Sequence, residues 1–396
     1  MSRVRDLASI LTASSVLGTD VEVTTAVSNH SASSDPHSGY VLESLIDAKG
    51  DLIVGSADNT VAKLSTGNSG ESIVADSAAA TGLSYQSNYA AGKNAVINGA
   101  FNVWQRGTTF TNPAGDSYTA DRFMIDYGTA APTSNSVTRQ TFTPGTAPVA
   151  GYEGAFYFRS TLTTVGTTSR LSIHHKIENV QTYAGQTVTL SFFAKADSAR
   201  TLAGFVQQNF GSGGSATVST AITSQSVTTA WTKFSMQVAV PSISGKTIGT
   251  SSFLNIRLDQ AVAAGSVLEL WGIQLEAGSV VTAFQTATGT LQGELAACQR
   301  YYVDLGNCTF HAYSVTGVIG PRFPVTMRTT PTITLAYSGT TDRMYNLDAG
   351  TTKDLVSNYV VATTQQVSNW YTSNPASWAT AKGEGWATTV KASAEL

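Results

Sequence analysis

Three short stretches decide the fold of this chain: NGAFNVWQRG at residues 98–107, YTADR at 118–122 and WGIQLEAG at 271–278. They lie near the two ends of a region, residues 94–287, in which roughly ten runs alternate between apolar and polar residues. Glycine, serine or asparagine bounds these runs, as around FLNIRL at 253–258. Alternation with a period of two predicts strands, and many short strands at this spacing predict a β-sandwich.

Composition favours a mostly β protein and argues against two kinds of partner. The 396 residues allow two or three domains, and only 12% are charged, about half the usual share. A net charge of −3 and the lack of Lys/Arg runs argue against a nucleic acid. Without an 18-residue apolar run we expect no membrane insertion. Residues 1–11 lack the apolar core of a secretory signal.

The N-terminal part of the chain, residues 1–93, has too few large apolar side chains to fold alone. Residues 1–27 begin with helical spacing in VRDLASIL at 4–11, which predicts an attachment peptide because an isolated helix of this length is marginal. Residues 28–93 alternate turn signals with apolar triads such as LIV at 52–54, and no such strand buries a core by itself. Three copies together would supply that core, so we predict a thin trimeric shaft, with a flexible linker as the alternative.

The C-terminal part changes pattern again. LQGELAACQRYY at 291–302 has a helical period, and short strands return from about residue 303. The whole chain is therefore predicted to be all-β. Its four parts are an attachment peptide (1–27), a trimeric shaft (28–93), a β-sandwich (94–287) and a small β-rich C-terminal tip (288–396).

The three stretches quoted first, with FFAKA at 192–196, resemble the carbohydrate-binding-module-like jelly roll of bacteriophage tail fibre proteins. The segment from 47 to 83 resembles a recurrent piece of tail-fibre shafts, which are intertwined homotrimers. The resemblance implies a virion protein that is assembled in the host cytoplasm. It also implies that a virion tail or adaptor protein holds residues 1–27.

Six tryptophans are candidates for stacking on a sugar ring. Three lie in or beside strand motifs of the sandwich, and we expect them to pack within it: Trp104, Trp231 and Trp271. The candidate ligand-binding residues belong to a polar stretch of the tip: Asn369, Trp370, Tyr371 and Trp378. The alternative is that these aromatic residues form the small core of the tip, an interpretation that suits Trp386 best.

Three residues are candidate metal ligands: Glu276, His30 and His37. In related carbohydrate-binding jelly rolls a glutamate near one terminus helps to hold a structural Ca²⁺, which implies that role for Glu276. Calcium takes six to eight oxygen ligands, and no dense acidic loop supplies them here. His30 or His37 could meet its copies on a threefold axis and bind a metal, whereas the alternative for His37 is a structural turn. We expect no required cofactor.

Two further pairs are interpreted as structural. His174 and His175 are neighbours on a predicted strand, so their side chains point to opposite faces and cannot chelate one ion. Asp121 lies beside Arg122, and we expect the two to form an ion pair.

The function that these patterns favour is host-cell attachment. We expect a virion tail fibre that binds a surface polysaccharide or lipopolysaccharide and is not an enzyme. One alternative is a purely structural fibre or tail adaptor without a ligand. Another is a capsule-depolymerising tailspike, which would need long β-helix repeats and a pair of catalytic carboxylates, and neither pattern is present.

Overall fold

A computed structural model describes residues 20–396 except 33–40, 42, 69, 88–91, 129, 150–151, 169, 261, 307, 313–317, 337–341, 347–350, 356–357, 373–382 and 388. Internal contacts divide the chain into two units, Met1–Asn88 and Tyr89–Leu396. None of the helices in the described ranges is long and apolar enough to cross a membrane.

The first unit contains one helix and two small hairpins. Its elements are α1 (Asp20–Ala32), a 3₁₀ turn (Glu43–Leu45), β1 (Leu52–Ala57), β2 (Thr60–Leu64), β3 (Glu71–Ala75) and β4 (Leu83–Ser87). Strand β1 pairs with β2 and β3 pairs with β4, both antiparallel. Helix α1 crosses the predicted boundary at residue 27, and the helical pattern predicted at 4–11 lies outside the described residues.

The second unit begins with the strands of the sandwich. These are β5 (Thr109–Thr111), β6 (Ser117–Tyr118), β7 (Phe123–Asp126), β8 (Ser134–Thr141), β9 (Phe156–Thr164), β10 (Leu171–Glu178), β11 (Thr187–Ala196), β12 (Arg200–Asn209), β13 (Val218–Ala221), β14 (Gln225–Val227), β15 (Thr232–Ala239), β16 (Phe253–Gln260) and β17 (Ser266–Ala277). They form two antiparallel sheets. The first sheet has the order β13-β12-β16-β10-β7-β6, with β14 also paired to β12. The second sheet has the order β15-β11-β17-β9-β8-β5.

The main core lies between these two sheets. Leu171 and Ile173 of β10 point into it, as do Leu254 and Ile256 of β16, because every second residue of a strand faces the same side. Phe101, from the first of the quoted stretches, packs on Phe123 and Phe158 with ring centroids 4.5 and 5.3 Å away. The alternating pattern thus does specify a sandwich, and the predicted all-β fold is confirmed.

A second, aromatic cluster covers the outer face of the second sheet. Trp271 and Phe193 point away from the main core and pack with Phe142 and Phe284. The loop before β9 presses on the indole, because a Cβ added at Gly154 would lie 2.8 Å from Trp271 Nε1. Trp271, which the sequence predicts to be a packing residue, is fully buried, on the side of its sheet that faces away from the main core.

The C-terminal part contains α2 (Leu291–Gln299), β18 (Tyr302–Asp304), β19 (Cys308–Ala312), β20 (Val318–Arg322), β21 (Thr332–Ala336), β22 (Asp342–Asn346), β23 (Thr351–Leu355), β24 (Asn358–Ala362), β25 (Gln366–Thr372), β26 (Gly383–Ala387) and β27 (Thr389–Ser393). Strands β18, β27 and β21 form one sheet, and the other strands form a second one in the order β23-β22-β26-β19-β20-β25-β24. The predicted helix at 291–302 is confirmed as α2, capped by Thr290, whose hydroxyl accepts from the Gly293 N–H.

Candidate functional site

The candidate site lies on the outer face of the first sheet, across its three central strands. Antiparallel pairing of β16 with both β10 and β12 brings together residues that are far apart in the sequence. Asn255 of β16 is opposite Gln207 of β12 and Lys176 of β10. His174 also points outward, while His175 packs against the ring of Phe123 in the core. The prediction that the two histidines occupy opposite faces is confirmed.

A hydrogen-bond network joins the three strands. Asn255 Nδ2 donates to His174 Nδ1 at 3.0 Å and to Gln207 Oε1 at 2.9 Å. Burial lowers the pKa of the His174 imidazole to about 4, so at neutral pH this ring is uncharged. Because Nδ1 accepts a hydrogen bond, the ring proton is on Nε2.

Two polar atoms of this network have no partner. His174 is 8% exposed and Asn255 is 4% exposed. Neither His174 Nε2 nor Asn255 Oδ1 makes a hydrogen bond within the described part of the chain. The nearest acid, Asp126, has Oδ2 3.9 Å from Nε2 and is itself bound by Arg170. Buried polar groups are usually hydrogen-bonded, and these two unpaired atoms have almost no solvent-accessible surface, so they are an unusual feature of the network.

These residues line a cavity of about 270 Å³, which we call the His174 cavity. Its described lining consists of Met124, His174, Lys176, Gln207, Asn209, Thr217, Phe253 and Asn255. Burial lowers the pKa of Lys176, whose Nζ lies 4.9 Å from the centre of the Phe253 ring and donates to the Leu396 carbonyl at 2.6 Å. One aromatic ring among amides and a hydroxyl can bind a small molecule rich in hydroxyl groups.

A larger cavity, formed by β11 and β15 of the second sheet with Gln225 of β14, is a weaker candidate. Its volume is about 420 Å³, and it is lined mainly by hydroxyl and amide side chains: Thr189, Thr223, Gln225, Ser235, Met236, Gln237, Ser279 and Val281. None of these residues has an unpaired buried polar atom, and none supplies an aromatic ring. Its larger volume favours this cavity, whereas the aromatic ring in the lining favours the His174 cavity.

The predicted ligand-binding residues belong to a different part of the molecule. Asn369, Trp370 and Tyr371 lie on β25, where Trp370 is opposite Val360 and Tyr371 is opposite Tyr359. Trp378 lies outside the described residues. The platform in the tip therefore stays a prediction.

The surroundings of Glu276 do not fit a calcium ion. Its carboxylate accepts from Gln274 Nε2 at 2.9 Å and from the Thr282 N–H at 3.0 Å and Thr282 hydroxyl at 2.7 Å. Lys93 Nζ lies 3.5 Å away. Donors and a cation occupy the positions where Ca²⁺ would need oxygen ligands. Glu276 instead ties the 279–283 loop to the end of β17.

The histidine metal site stays a prediction. His30 lies in the last turn of α1, and His37 lies outside the described residues. Within one chain, the described residues contain no group of three or more His, Cys, Asp or Glu side chains that could hold a metal.

Two of the stretches quoted first, 98–107 and 118–122, form ion pairs with the C-terminal segment. Arg122 is 0% exposed and forms an ion pair with Glu395, not with its neighbour Asp121. Arg106 is 3.0 Å from the same Glu395 carboxylate and 3.3 Å from Asp121. The predicted Asp121–Arg122 pair is therefore wrong, because the side chains of these neighbours reach different partners. Arg328 adds two bonds, to the carbonyls of residues 394 and 395.

The comparisons show likeness in fold at low identity. No known protein family and no curated protein matches the sequence. A carbohydrate-binding module, CBM4, is 16% identical over 46% of this chain and 99% of its own, with a TM-score of 0.30. A putative sugar-binding protein from Bacteroides thetaiotaomicron is 14% identical over 47% of this chain and 100% of its own, with a TM-score of 0.31.

A phage protein is also among the similar structures. The enzymatically active domain of tailspike protein 4 from bacteriophage CBA120 is 16% identical over 47% of this chain and 22% of that chain, with a TM-score of 0.31. At these TM-scores the likenesses assign no function to this chain. Function has to be inferred from its own side chains.

Proposed function

We propose that the sandwich binds a carbohydrate in the His174 cavity. The observation that carries the proposal is a cavity in which the Phe253 ring lies among the hydrogen-bonding side chains of Gln207, Asn209 and Asn255. A sugar hydroxyl both donates and accepts, so it could hydrogen-bond to the amide and hydroxyl side chains that line the cavity, such as Gln207, Asn209 and Thr217. The apolar face of a sugar ring would then contact Phe253.

Binding is better supported than hydrolysis. The described lining of the cavity contains no carboxylate, and glycoside hydrolysis ordinarily needs two. What supports the proposal is a lining of hydrogen-bonding side chains with one cation, Lys176, and no acid, which favours reversible recognition. A depolymerising tailspike therefore remains the less favoured alternative, together with a structural fibre or adaptor without a ligand.

We further propose that the chain acts as a virion fibre that attaches to a host-surface polysaccharide or lipopolysaccharide, with residues 1–27 held by a tail or adaptor protein. The first unit supports association of several copies. Nine of the thirteen large hydrophobic side chains that are exposed among the described residues belong to it: Val21, Val23, Val27, Val41, Ile46, Leu52, Ile53, Val61 and Ile73. Two-stranded hairpins are marginal alone, and a homotrimer would cover these side chains. Three copies of the sugar site in one trimer would also raise the avidity for the glycan.

Removing the aromatic ring of the cavity should weaken glycan binding. We expect Phe253→Ala to lower affinity at least about tenfold, which corresponds to about 1.4 kcal/mol. The full chain is screened on an array of bacterial surface polysaccharides, and bound glycans are then titrated by calorimetry.

Phe205→Ala is the matched control for this variant. Phe205 lies on the same sheet face as Phe253 but outside the cavity lining. The two rings have similar surroundings, because each has a cation 4.9 Å from its centre. The control should bind like the unaltered chain. Equal affinity in the two variants, or no glycan bound by the unaltered chain, would count against the proposal.

Association through the first unit is tested separately. The mass of the full chain in solution, measured by sedimentation, should be that of three chains. Ile53→Asp should shift the population toward single chains, because Ile53 is 45% exposed on a hairpin that needs a partner. Val280→Asp, at a residue 44% exposed in the second unit, should leave the mass unchanged. A single-chain mass for the unaltered protein would refute the trimer.

A further inference from the structure

A row of three charged residues crosses the outer face of the second sheet. Glu269 of β17 is directly opposite Arg159 of β9 and Lys195 of β11, so a carboxylate lies between two cations. With Thr161, Ala196, Asp197 and Val267, these residues line a cavity of about 280 Å³, which we call the Glu269 cavity. It is on the opposite sheet from the His174 cavity.

The carboxylate of Glu269 is only half satisfied. Its Oε1 accepts from Arg159 Nε at 2.8 Å and from Arg159 Nη2. Its Oε2 lies 3.1 Å from Lys195 Nζ in an ion pair but accepts no hydrogen bond within the described residues. Glu269 is buried, and a buried acceptor without a hydrogen bond costs free energy. Oε2 itself has almost no solvent-accessible surface, so the Lys195 ammonium is the group that compensates it.

The charge balance of the row favours an anion. Two cations face one carboxylate, and their side chains remain 34% (Arg159) and 36% (Lys195) exposed. The other acid in the lining, Asp197, is engaged by Arg200 at 2.6 Å and by the Val267 N–H at 2.8 Å. One unit of positive charge is thus left in reach of the cavity.

Aromatic rings border the same row. Arg159 Nη2 donates to the Tyr157 hydroxyl at 3.3 Å, and Tyr157 meets the edge of Trp231 with ring centroids 5.4 Å apart. Both rings are half-buried. The two rings lie beside the charged row, next to the cavity and not in its lining.

We propose that the Glu269 cavity is a second carbohydrate site, specific for an acidic sugar such as a uronic acid residue. The sugar carboxylate pairs with Lys195 and the exposed edge of Arg159. Charge-assisted hydrogen bonds of this kind are stronger than hydrogen bonds to neutral groups, so the acid group of the sugar is the main determinant of affinity. The site does not depend on the His174 cavity, since the two share no residue.

Titration calorimetry with tetragalacturonate tests this proposal on the full chain. We expect Lys195→Met to weaken binding at least about tenfold, because one charge-assisted bond is lost. The fully methyl-esterified tetragalacturonate, which is the same sugar without charge, should bind the unaltered chain at least about tenfold more weakly. Lys195→Met should fold normally, since Arg159 still pairs with Glu269, and its melting temperature checks this.

Two variants and one further probe complete the experiment. Lys246→Met removes an exposed lysine that lines neither cavity, and Phe253→Ala alters only the His174 cavity; both should keep the affinity for tetragalacturonate. Undetectable tetragalacturonate binding, or equal weakening by Lys246→Met and Lys195→Met, would overturn the second site. Weakening by Phe253→Ala alone would place the acidic sugar in the His174 cavity instead. Inorganic phosphate binding as tightly as the sugar would reduce the site to a simple anion site and overturn the sugar assignment.

Discussion

Replacing Glu395 with alanine should lower the free energy of unfolding of the second unit by about 3–5 kcal/mol. This carboxylate compensates two arginines, Arg106 and the fully buried Arg122. Arg122 also donates to the Lys176 carbonyl at 2.5 Å and stacks on the Tyr301 ring at 3.5 Å, but neither contact neutralises its charge. Without Glu395 a guanidinium would remain buried without a counter-ion, which is the costly case.

Glu178→Ala is the control for this loss. Glu178 pairs with Arg300 at 3.1 Å and also joins the sandwich to the C-terminal part, but both side chains of the pair are about a third or more exposed. An exposed pair contributes about 0–1 kcal/mol. The double variant Arg122→Met with Glu395→Leu should recover much of the stability, because it removes both buried charges. Chemical denaturation followed by tryptophan fluorescence measures all three, and a Glu395→Ala loss as small as that of Glu178→Ala would contradict the prediction.

The partner of Arg122 shows what alternation in a sequence can and cannot predict. Period-two patterns identified the strands and hence the sandwich, because each strand must present one apolar face to the core. The same patterns contain no information on which distant residue meets an outward or terminal side chain. The sequence predicts that Arg122 pairs with its neighbour Asp121, whereas in the structure its counter-ion is Glu395, 273 positions away.

The candidate site was missed for a related reason. Gln207, His174 and Asn255 each occupy an unremarkable polar position on the outer side of a strand. They meet only because β16 lies between β12 and β10, an order that does not follow the chain. A polar residue two positions from an aromatic one, as in Phe253 and Asn255, is a signal that becomes meaningful once the strand order is known.

Under the two proposals above, one sandwich would contact an extended glycan at two places. They lie on opposite sheets; the lining of one combines Lys176 with amides and an aromatic ring, and that of the other combines Arg159 and Lys195 with two carboxylates. A polysaccharide with both neutral and acidic residues could engage both faces of one sandwich or bridge neighbouring copies. Two weak sites on one chain raise the effective affinity without any new contact.

The other large effect is expected at Trp271. Trp271→Ala should lower the free energy of unfolding by about 3–5 kcal/mol, because it empties the centre of the outer aromatic cluster. The indole is fully buried and contacts Phe284, Phe193 and Tyr152 with ring centroids 4.8, 5.5 and 5.4 Å away. Phe193 lies on β11, and Tyr152 and Phe284 lie in two loops. The cavity left by the missing indole could be filled only if these loops moved.

Trp231→Ala is the matched control, since Trp231 packs on the same cluster but is only half-buried. It should cost less than half as much stability, measured by the same denaturation experiment. Trp271→Phe should fall between the two, because the ring keeps most of the packing and removes an indole N–H that has no partner among the described residues. If Trp271→Ala and Trp231→Ala destabilised the protein equally, the outer cluster would not anchor the loops over the second sheet.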